Sequence, residues 1–417
     1  MLTLSRVVIP CVVAAFAASC GDDESRRSLS RDAASLNEIV ANAPRLQLVE
    51  DLRLDANLED FSSVSRVYVG PHDEILVPLP QDQQLRIYDK NGTRIASVGR
   101  RGSGPGEFQS VGIAGAIADT FWVSDIRQRR ITYVASDGAV LRTSAIPQRV
   151  LRDTSGSVIG QLVMFSPLAI YGDGSMLGET RARPSSGSDG ITPRAAAIMI
   201  PDEDAQVLFF PPSFEDPRWM MEAAGFGQSV PFTMSPQMSW SPTGDRLATL
   251  HTDTVTEVGG ALRLVVYEIS DPRAAIAQAA LWRPTHARSI TYQGEPIPQE
   301  AVDSALAAFI PESGRPTEGP ADLPRRFQAM ARERMPAVFP PVVRLRLGLD
   351  DTIWLDLRPS RDGKMSLILD RNGQPIGTVV VPTNVTISQS NRSYAYALER
   401  DDVGLASVVR YRIVGLN

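Results

Sequence analysis

Residues 85–108 constrain the fold more than any other stretch of the 417-residue chain, because they contain a complete hairpin followed at once by a glycine-rich crossing. Short apolar runs flank Asn91 and Gly92, and an Asn-Gly pair between alternating hydrophobic residues favours a tight β-turn, since both residues tolerate a positive φ. Four glycines and Pro105 then follow within residues 99–106 and disfavour any regular element. This stretch therefore predicts a two-stranded hairpin and, beyond it, the start of a new sheet.

A turn rich in Asp, Gly or Asn followed by an apolar strand recurs six times along the chain. The first residues of these strands are Ile75, Phe121, Met176, Leu247, Ile353 and Tyr394. Their successive spacings are 46, 55, 71, 106 and 41 residues. The shortest spacings fit one four-stranded blade of a β-propeller, and the longer ones indicate insertions into the same unit. In the strongest internal match, Trp122 and Trp354 occupy equivalent strand positions, where packing is their expected role.

The motif at residues 85–108 resembles a known repeat junction. A strand, a D-x-N-G turn, a second strand and then G-x-G-P-G-E-F are similar to the junction in NHL-repeat, TolB-like and related six-bladed β-propeller proteins of bacteria. The resemblance covers this one junction well, and the other repeats match it in pattern. It implies an all-β fold, namely a six-bladed β-propeller over residues 44–417.

The ring of such a propeller needs a closing strand, and the amino-terminal part of the chain is the candidate. The last repeat reaches Asn417 before a fourth strand could form. Residues 45–55 alternate Leu46 and Leu48 with polar residues and precede the first repeat, so we expect them to pair into the final blade and remove its open edge. The alternative is that these residues form an outlying helix or a linker.

Two segments interrupt the repeats. Residues 297–335 have helical spacing of apolar residues, with Pro298 opening one short helix and Leu323-Pro324 a second, so we expect a small helical insertion over residues 284–341, between blades 4 and 5. Residues 211–232 show no clear period and predict a long packed loop.

The first 19 residues have the pattern of an export signal. Arg6 precedes an apolar run over residues 7–18, which has the length of a signal-peptide core and is too short to span a bilayer. The sequence A-A-S-C ending at Cys20 resembles the lipobox of bacterial lipoproteins, which implies that Cys20 becomes the lipidated first residue; Ala17 stands where that family usually has Leu. Cleavage by ordinary signal peptidase after Ala17 is the alternative.

Residues 20–43 are polar and lack strand periodicity, so they are expected to form a flexible tether. The resulting location is the periplasmic side of the inner or outer membrane, or the cell surface, with the membrane reached through the lipid anchor. Because Cys11 lies in the signal, the mature chain has Cys20 alone and no internal disulfide. The net charge of −6 gives no basic footprint for nucleic acid.

Strand parity indicates which side of the propeller binds. In a blade with strands A to D, the A–B and C–D turns lie on one side, and the B–C loops and D–A crossovers lie on the other, which we call the loop face. The long connections fall on the loop face, and long loops are often functional. They comprise residues 99–110, 147–166, 179–194, 211–232, 252–260 and 284–341.

The binding residues expected on the loop face are mostly arginines, with an aromatic, a histidine and two acids. Arginine suits carboxylate, phosphate or sulfate groups, and tryptophan suits a sugar or an apolar group. They are Arg101, Arg127, Arg129, Arg181, Trp219, His251, Asp253, Arg358 and Glu399.

Catalytic motifs are not found. The chain has three histidines, and His72 lies in a predicted A–B turn on the far side, so they cannot converge on one metal. No G-x-S-x-G elbow is present, and the glycines at 99–106 lack the Lys-Ser or Lys-Thr of a P-loop, so Glu107 is expected to pin the crossing. We expect no cofactor, with calcium as an option because oxygen ligands suit it. Its candidate ligands are Asp125, Asp253, Asp401 and Glu399.

Two functions follow from these observations. The first is a lipid-anchored propeller that binds a small ligand or an envelope protein on its loop face. The alternative is a propeller enzyme, a hydrolase or lyase acting on a sugar, lactone or peptide, with calcium as a possible aid. The scarcity of histidine and the lack of a convergent acid–base pair favour binding.

Overall fold

The computed structural model describes residues 34–146, 149–152, 156–184, 195–199, 205–209, 220–223, 226–268, 283–308, 323–359 and 363–415. These residues are mostly β-strand, with three α-helices among them. No helix within these ranges is both long enough and apolar enough to cross a membrane.

The described chain begins with β1 (Ala34–Ser35), α1 (Leu36–Asn42) and β2 (Arg45–Leu54). β1 pairs in parallel with residues 290–291 of a later strand, and Leu36 and Ile39 of α1 are buried in the core of that sheet. The tether expected over residues 20–43 is therefore wrong for residues 34–43. Leu36, Ile39 and Val40 form a short apolar stripe at helical spacing, which a polar composition conceals.

The first two sheets are antiparallel and have four strands each. One contains β3 (Tyr68–Val69), β4 (Ile75–Leu79), β5 (Gln84–Tyr88) and β6 (Arg94–Val98), and the next contains β7 (Val111–Ile117), β8 (Thr120–Asp125), β9 (Arg130–Ala135) and β10 (Val140–Ala145).

The hairpin and crossing predicted at residues 85–108 are confirmed. Gly92 takes a φ of +85° in the turn between β5 and β6, and β7 starts directly after the crossing. A shared core packs the two sheets face to face, with Leu76 and Leu85 of the first against Phe121 and Val123 of the second. Burial on both faces explains why β4 and β8 are mostly apolar, whereas the outer strands β6 and β10 are largely exposed.

The third sheet departs from expectation. It contains β11 (Val150–Arg152), β12 (Val158–Ile170), β13 (Met176–Pro184), β14 (Ala195–Met199) and β15 (Ala205–Phe209), and a hairpin of β16 (Met220–Ala223) and β17 (Phe226–Ser229) follows.

Residues 147–166 and 211–232, expected as a crossover and a loop, thus contain strands. β11 pairs with β12 in antiparallel and with β15 in parallel, so the five strands form a closed set. The extra pairing satisfies backbone groups that a free crossover would leave to solvent.

The fourth sheet carries the helical insertion. Its five strands are β1 together with β18 (Gln237–Trp240), β19 (Arg246–Val255), β20 (Gly259–Glu268) and β21 (Arg283–Gln293). The insertion contains α2 (Gln299–Ala308) and α3 (Leu323–Arg334). The two predicted helices are confirmed.

The long loop expected at residues 252–260 is wrong, because β19 and β20 extend through most of it. The insertion starts after β21 rather than at residue 284.

The last seven strands join β2 in one eight-stranded sheet. They are β22 (Val342–Leu347), β23 (Ile353–Leu357), β24 (Lys364–Leu369), β25 (Pro375–Val381), β26 (Val385–Ser390), β27 (Tyr394–Arg400) and β28 (Ala406–Gly415).

β2 lies at the middle of this sheet. It pairs in antiparallel with β28 from Leu46 to Leu54, and in parallel with β25 only at Arg45 and Leu46. The amino-terminal strand therefore completes a four-stranded unit with β26, β27 and β28. This is the pairing predicted from the pattern of residues 45–55. The chain has a propeller-like succession of antiparallel sheets.

Truncation of the buried end of β2 tests this packing. Leu54 is 3% exposed, whereas Val49 on the same strand is 37% exposed. Leu54→Ala should lower the free energy of unfolding by about 2–5 kcal/mol, because it leaves a cavity in the core. Val49→Ala should change it by about 0.5 kcal/mol or less. Urea unfolding of both variants measures the difference, and equal losses would contradict the packing of β2.

Candidate functional site

We describe two cavities, one at a D–A crossover and the B–C loops of the first two sheets, and one between the fourth sheet and the helical insertion. The first has a volume of about 700 Å³, and we call it the arginine cavity; its lining is Pro80, Gln81, Gln83, Arg101, Gly102, Gln109, Ser110 and Arg127. The second, of about 690 Å³, we call the methionine cavity; its lining is Phe232, Thr233, Met234, Pro236, His251, Thr252, Asp253, Val255, Tyr292, Met330, Glu333, Arg334, Met335, Pro336, Val338 and Pro340.

Glu107 holds the crossover that forms one wall of the arginine cavity. Its Oε2 accepts the backbone N–H of Gly104 at 2.8 Å, and its Oε1 accepts Nε of Arg100 at 2.8 Å. These two donors stabilise the carboxylate and lower the pKa of Glu107 below its ordinary value. Gln128 adds a hydrogen bond from Nε2 to the carbonyl of Gly102 at 3.0 Å. The pinning role predicted for Glu107 is present in these contacts.

Asp125 joins this wall to the neighbouring B–C loop. It is 0% exposed at the end of β8, and its carboxylate accepts the backbone N–H of Gln109 at 2.7 Å and of Gln128 at 2.9 Å. Nε2 of Gln128 donates to the same carboxylate at 2.8 Å. A buried carboxylate needs such donors. Asp125 therefore positions the loops that carry Arg101 and Arg127, and is not a free ligand for calcium.

Arg101 and Arg127 reach the arginine cavity from different loops. Arg101 lies in the crossover after β6, and Arg127 lies in the loop between β8 and β9. Both are exposed, and among the residues that the structure describes no carboxylate lies within ion-pair distance of either guanidinium. Two cations that the fold leaves unneutralised at one cavity produce a positive potential there.

Gln83 adds a buried acceptor to the arginine cavity. It is 8% exposed, and its Nε2 donates to the carbonyl of Pro80. Its Oε1 is buried and has no hydrogen-bond partner in the described part of the chain. An unpaired buried acceptor is costly unless a ligand or water supplies a donor. The cavity therefore combines two anion-binding groups with one site for a hydroxyl or N–H donor.

His251 and Asp253 line the methionine cavity, as members of β19. Burial lowers the pKa of His251, and the carboxylate of Asp253 opposes that shift. Asp401, one of the four carboxylates proposed for calcium, caps its own loop by accepting the backbone N–H groups of Val403 and Leu405. Within the described ranges, no three His, Cys, Asp or Glu side chains are close enough to hold a metal ion.

The remaining arginines predicted to bind do not line either cavity. Arg129 is half-buried in a turn with a φ of +50°, and Arg181 is exposed on β13. The guanidinium of Arg358 stacks on the ring of Phe339 at 3.4 Å from its centroid. Trp219 and Cys20 lie outside the described residues.

Glu399, also predicted as a binding residue, is a structural group. Its Oε2 accepts Nη2 of Arg53 at 3.0 Å and the hydroxyl of Tyr411 at 2.5 Å. Burial and this carboxylate raise the pKa of Tyr411. Glu399 therefore ties β2 to β27 and β28 through Oε2, and its binding role stays a prediction.

Sequence reasoning missed Gln83, Gln109 and Ser110 in the arginine cavity, and Phe232, Met330 and Met335 in the methionine cavity. Gln83, Gln109 and Ser110 are uncharged, so a search for arginine and acidic side chains does not find them. The last three come from the crossover before β18 and from the insertion, which gave a packing signal only. Only the tertiary structure places these three side chains beside β19.

Glu107 predicts a pH-dependent contribution to stability. Because its folded-state pKa is lowered, this contribution is present above the unfolded-state pKa and is lost as pH falls through the folded-state pKa. Glu107→Gln should lower the urea midpoint at pH 7, and its difference from wild type should close in acid. Asp119→Asn, which alters an exposed contact with His72, is the control and should have little effect. A Glu107→Gln deficit that stays constant down to acid pH would contradict the prediction.

No protein-family model matches this chain, and no curated protein matches it in sequence. Solved structures show a distant likeness. A member of the DUF4221 family from Bacteroides vulgatus is 11% identical, with 90% of this chain and 100% of that chain covered and a TM-score of 0.49. A gluconolactonase from Xanthomonas campestris is 11% identical, with 88% of this chain and 97% of that chain covered and a TM-score of 0.36. Regucalcin, a calcium-binding protein from Agrobacterium tumefaciens, is 11% identical, with 90% of this chain and 97% of that chain covered and a TM-score of 0.34. The sheet order of this chain follows from its own strand pairing.

Proposed function

We propose that the chain is an exported, lipid-anchored, six-bladed β-propeller that binds a small anionic ligand in its arginine cavity. The observation that carries this proposal is the presence of Arg101 and Arg127 at one cavity, with no neutralising carboxylate for either among the described residues. The six sequence repeats and the pairing of β2 with β28 support closure of the ring. The loop face is thus the binding side.

The chemistry of the cavity defines the ligand class. Arginine forks bind carboxylate or phosphate oxygens through charge-assisted hydrogen bonds. The buried Oε1 of Gln83 requires a donor, which a hydroxyl group of the same ligand supplies. The amide of Gln109 and the hydroxyl of Ser110 add further polar contacts at the wall. A hydroxylated acid, such as a sugar acid, satisfies all of these groups together.

The loops of the arginine cavity are held before any ligand arrives. The side chains of Glu107, Asp125 and Gln128 form hydrogen bonds with the backbone of the crossover. Nη1 of Arg130 also donates to the carbonyl of Ser103 at 3.0 Å. Preorganised loops reduce the entropy lost on binding, which favours a specific small-molecule site.

Binding of D-glucuronate tests the anion site directly. Calorimetric titration of the chain without its signal should show binding of D-glucuronate, weaker binding of inorganic phosphate and still weaker binding of D-glucose. The double variant Arg101→Ala, Arg127→Ala should weaken glucuronate binding at least about tenfold, since it removes both forks. Arg392→Ala is the matched control, because Arg392 is exposed in the turn between β26 and β27, on the other side.

The ligand preferences also separate the possible outcomes. Equal affinities for glucose and glucuronate, or a double variant that binds as wild type does, would overturn the anion site. The enzymatic alternative predicts turnover rather than retention. Incubation of the protein with glucuronolactone should return the lactone unconverted beyond its spontaneous rate, and acceleration would favour a hydrolase.

The lipid anchor has its own test. Cys20 resembles the lipidated residue of a lipobox, whereas Cys11 lies within the apolar core of the signal. In a bacterial host, Cys20→Ser should move the mature protein from the membrane fraction to the supernatant after osmotic release. Cys11→Ser should leave it in the membrane fraction. Release of the wild-type protein into the supernatant would contradict lipidation.

A further inference from the structure

The methionine cavity is a second site of different chemistry, and it shares no lining residue with the arginine cavity. We propose that it binds a small organic cation, in which a protonated amine is attached to an apolar or aromatic body. The inference is independent of the anion site proposed above.

One side of the methionine cavity suits the apolar body. Phe232, Met234, Met330 and Met335 line it, and the ring of Phe232 packs edge-on against Phe339 with 5.4 Å between centroids. Thioether side chains are flexible and polarisable, so they adapt to rings and alkyl groups of different shapes. An apolar ligand of about ten heavy atoms fits a cavity of about 690 Å³.

The fold holds this apolar wall in place. α3 packs through Ala331 against Val230 of the crossover and Leu306 of α2, all three of which are buried. The insertion returns to the sheet through backbone hydrogen bonds, from Ile297 N–H to the carbonyl of Ala337 at 3.0 Å and from Phe339 N–H to the carbonyl of Glu295 at 2.9 Å. The cavity is therefore a built feature of the insertion.

The other side of the methionine cavity carries negative charge. The register between β19 and β20 shifts between Thr252 and Thr254, so Asp253 is left out of the ladder at a bulge. Bulges re-aim side chains, often beside functional sites. Asp253 and Glu333 of α3 both line the cavity, and no cation of the described chain lies within ion-pair distance of their carboxylates. Arg334 also lines it and is already engaged in a contact within the chain.

His251 supplies an acceptor next to Asp253. Its Nδ1 is buried and has no hydrogen-bond partner within the part of the chain that the structure describes. Burial lowers the pKa of this imidazole, so the neutral form, which does not repel a cation, is favoured at pH 7. A neutral imidazole has one acceptor nitrogen, and an ammonium group has three donors. An ammonium group therefore complements both the carboxylate of Asp253 and the imidazole.

Three matched probes test the charge preference. Phenethylamine, phenethyl alcohol and phenylacetate share one ring and differ in the charge of the polar end. Titration of the chain without its signal, followed by calorimetry and by ligand-observed NMR, should show binding of the amine, binding at least about fivefold weaker for the alcohol, and none for the acid. Equal affinities for the three probes, or no binding of the amine, would overturn the proposal.

Variants locate the bound amine. Asp253→Asn should weaken amine binding about tenfold while leaving the weak binding of the alcohol unchanged, and Met330→Ala should weaken both. Asp402→Asn is the matched control, since Asp402 is an exposed acid in a B–C loop outside the cavity. The double variant at Arg101 and Arg127 should bind the amine as wild type does. Because Asp253 is exposed, the Asp253→Asn variant should unfold as wild type does. Undiminished amine binding by this variant would place the amine elsewhere and refute the assignment.

Discussion

The pairing of β2 with β28 is the constraint on which the rest of this structure depends. It joins residues 46–54 to residues 408–415, so that segments from the two ends of the described chain become neighbours in one sheet. Side chains reinforce the ladder: Nε of Arg410 donates to Asp51 at 2.6 Å, and Arg53 pairs with Glu399 at 3.0 Å. Because the intervening sheets pack face to face, this pairing limits the freedom of every loop between them.

Charged side chains that have partners within the fold differ in role from those that have none. Asp125, Glu107 and Glu399 each accept hydrogen bonds from several donors, and their carboxylates are thereby committed to the fold. Arg101, Arg127 and Asp253 have no opposite charge to pair with in the described residues, although they line cavities. A charge that the fold does not neutralise remains available to a ligand, and this difference selects the candidate residues.

The two cavities have complementary chemistry. The arginine cavity is built from the crossover and the B–C loops of the first two sheets, which a polar network holds in place. The methionine cavity is built between the fourth sheet and the helical insertion, where flexible apolar side chains form the wall. Rigid polar walls favour selectivity for one geometry, whereas thioether walls accommodate several shapes. The sites are suited to an anion and to an apolar cation respectively.

The sequence by itself determined the local elements: the Asn91-Gly92 turn, the glycine-rich crossing, the strand at Arg45–Leu54 and the two helices of the insertion. These depend on periodicity and on backbone freedom within a few residues. Only the tertiary structure decided that residues 34–43 are packed, that β11 joins the third sheet, and that Oε2 of Glu399 accepts hydrogen bonds from Arg53 and Tyr411. Whether a polar side chain is satisfied depends on partners far away in the chain, which no local pattern specifies.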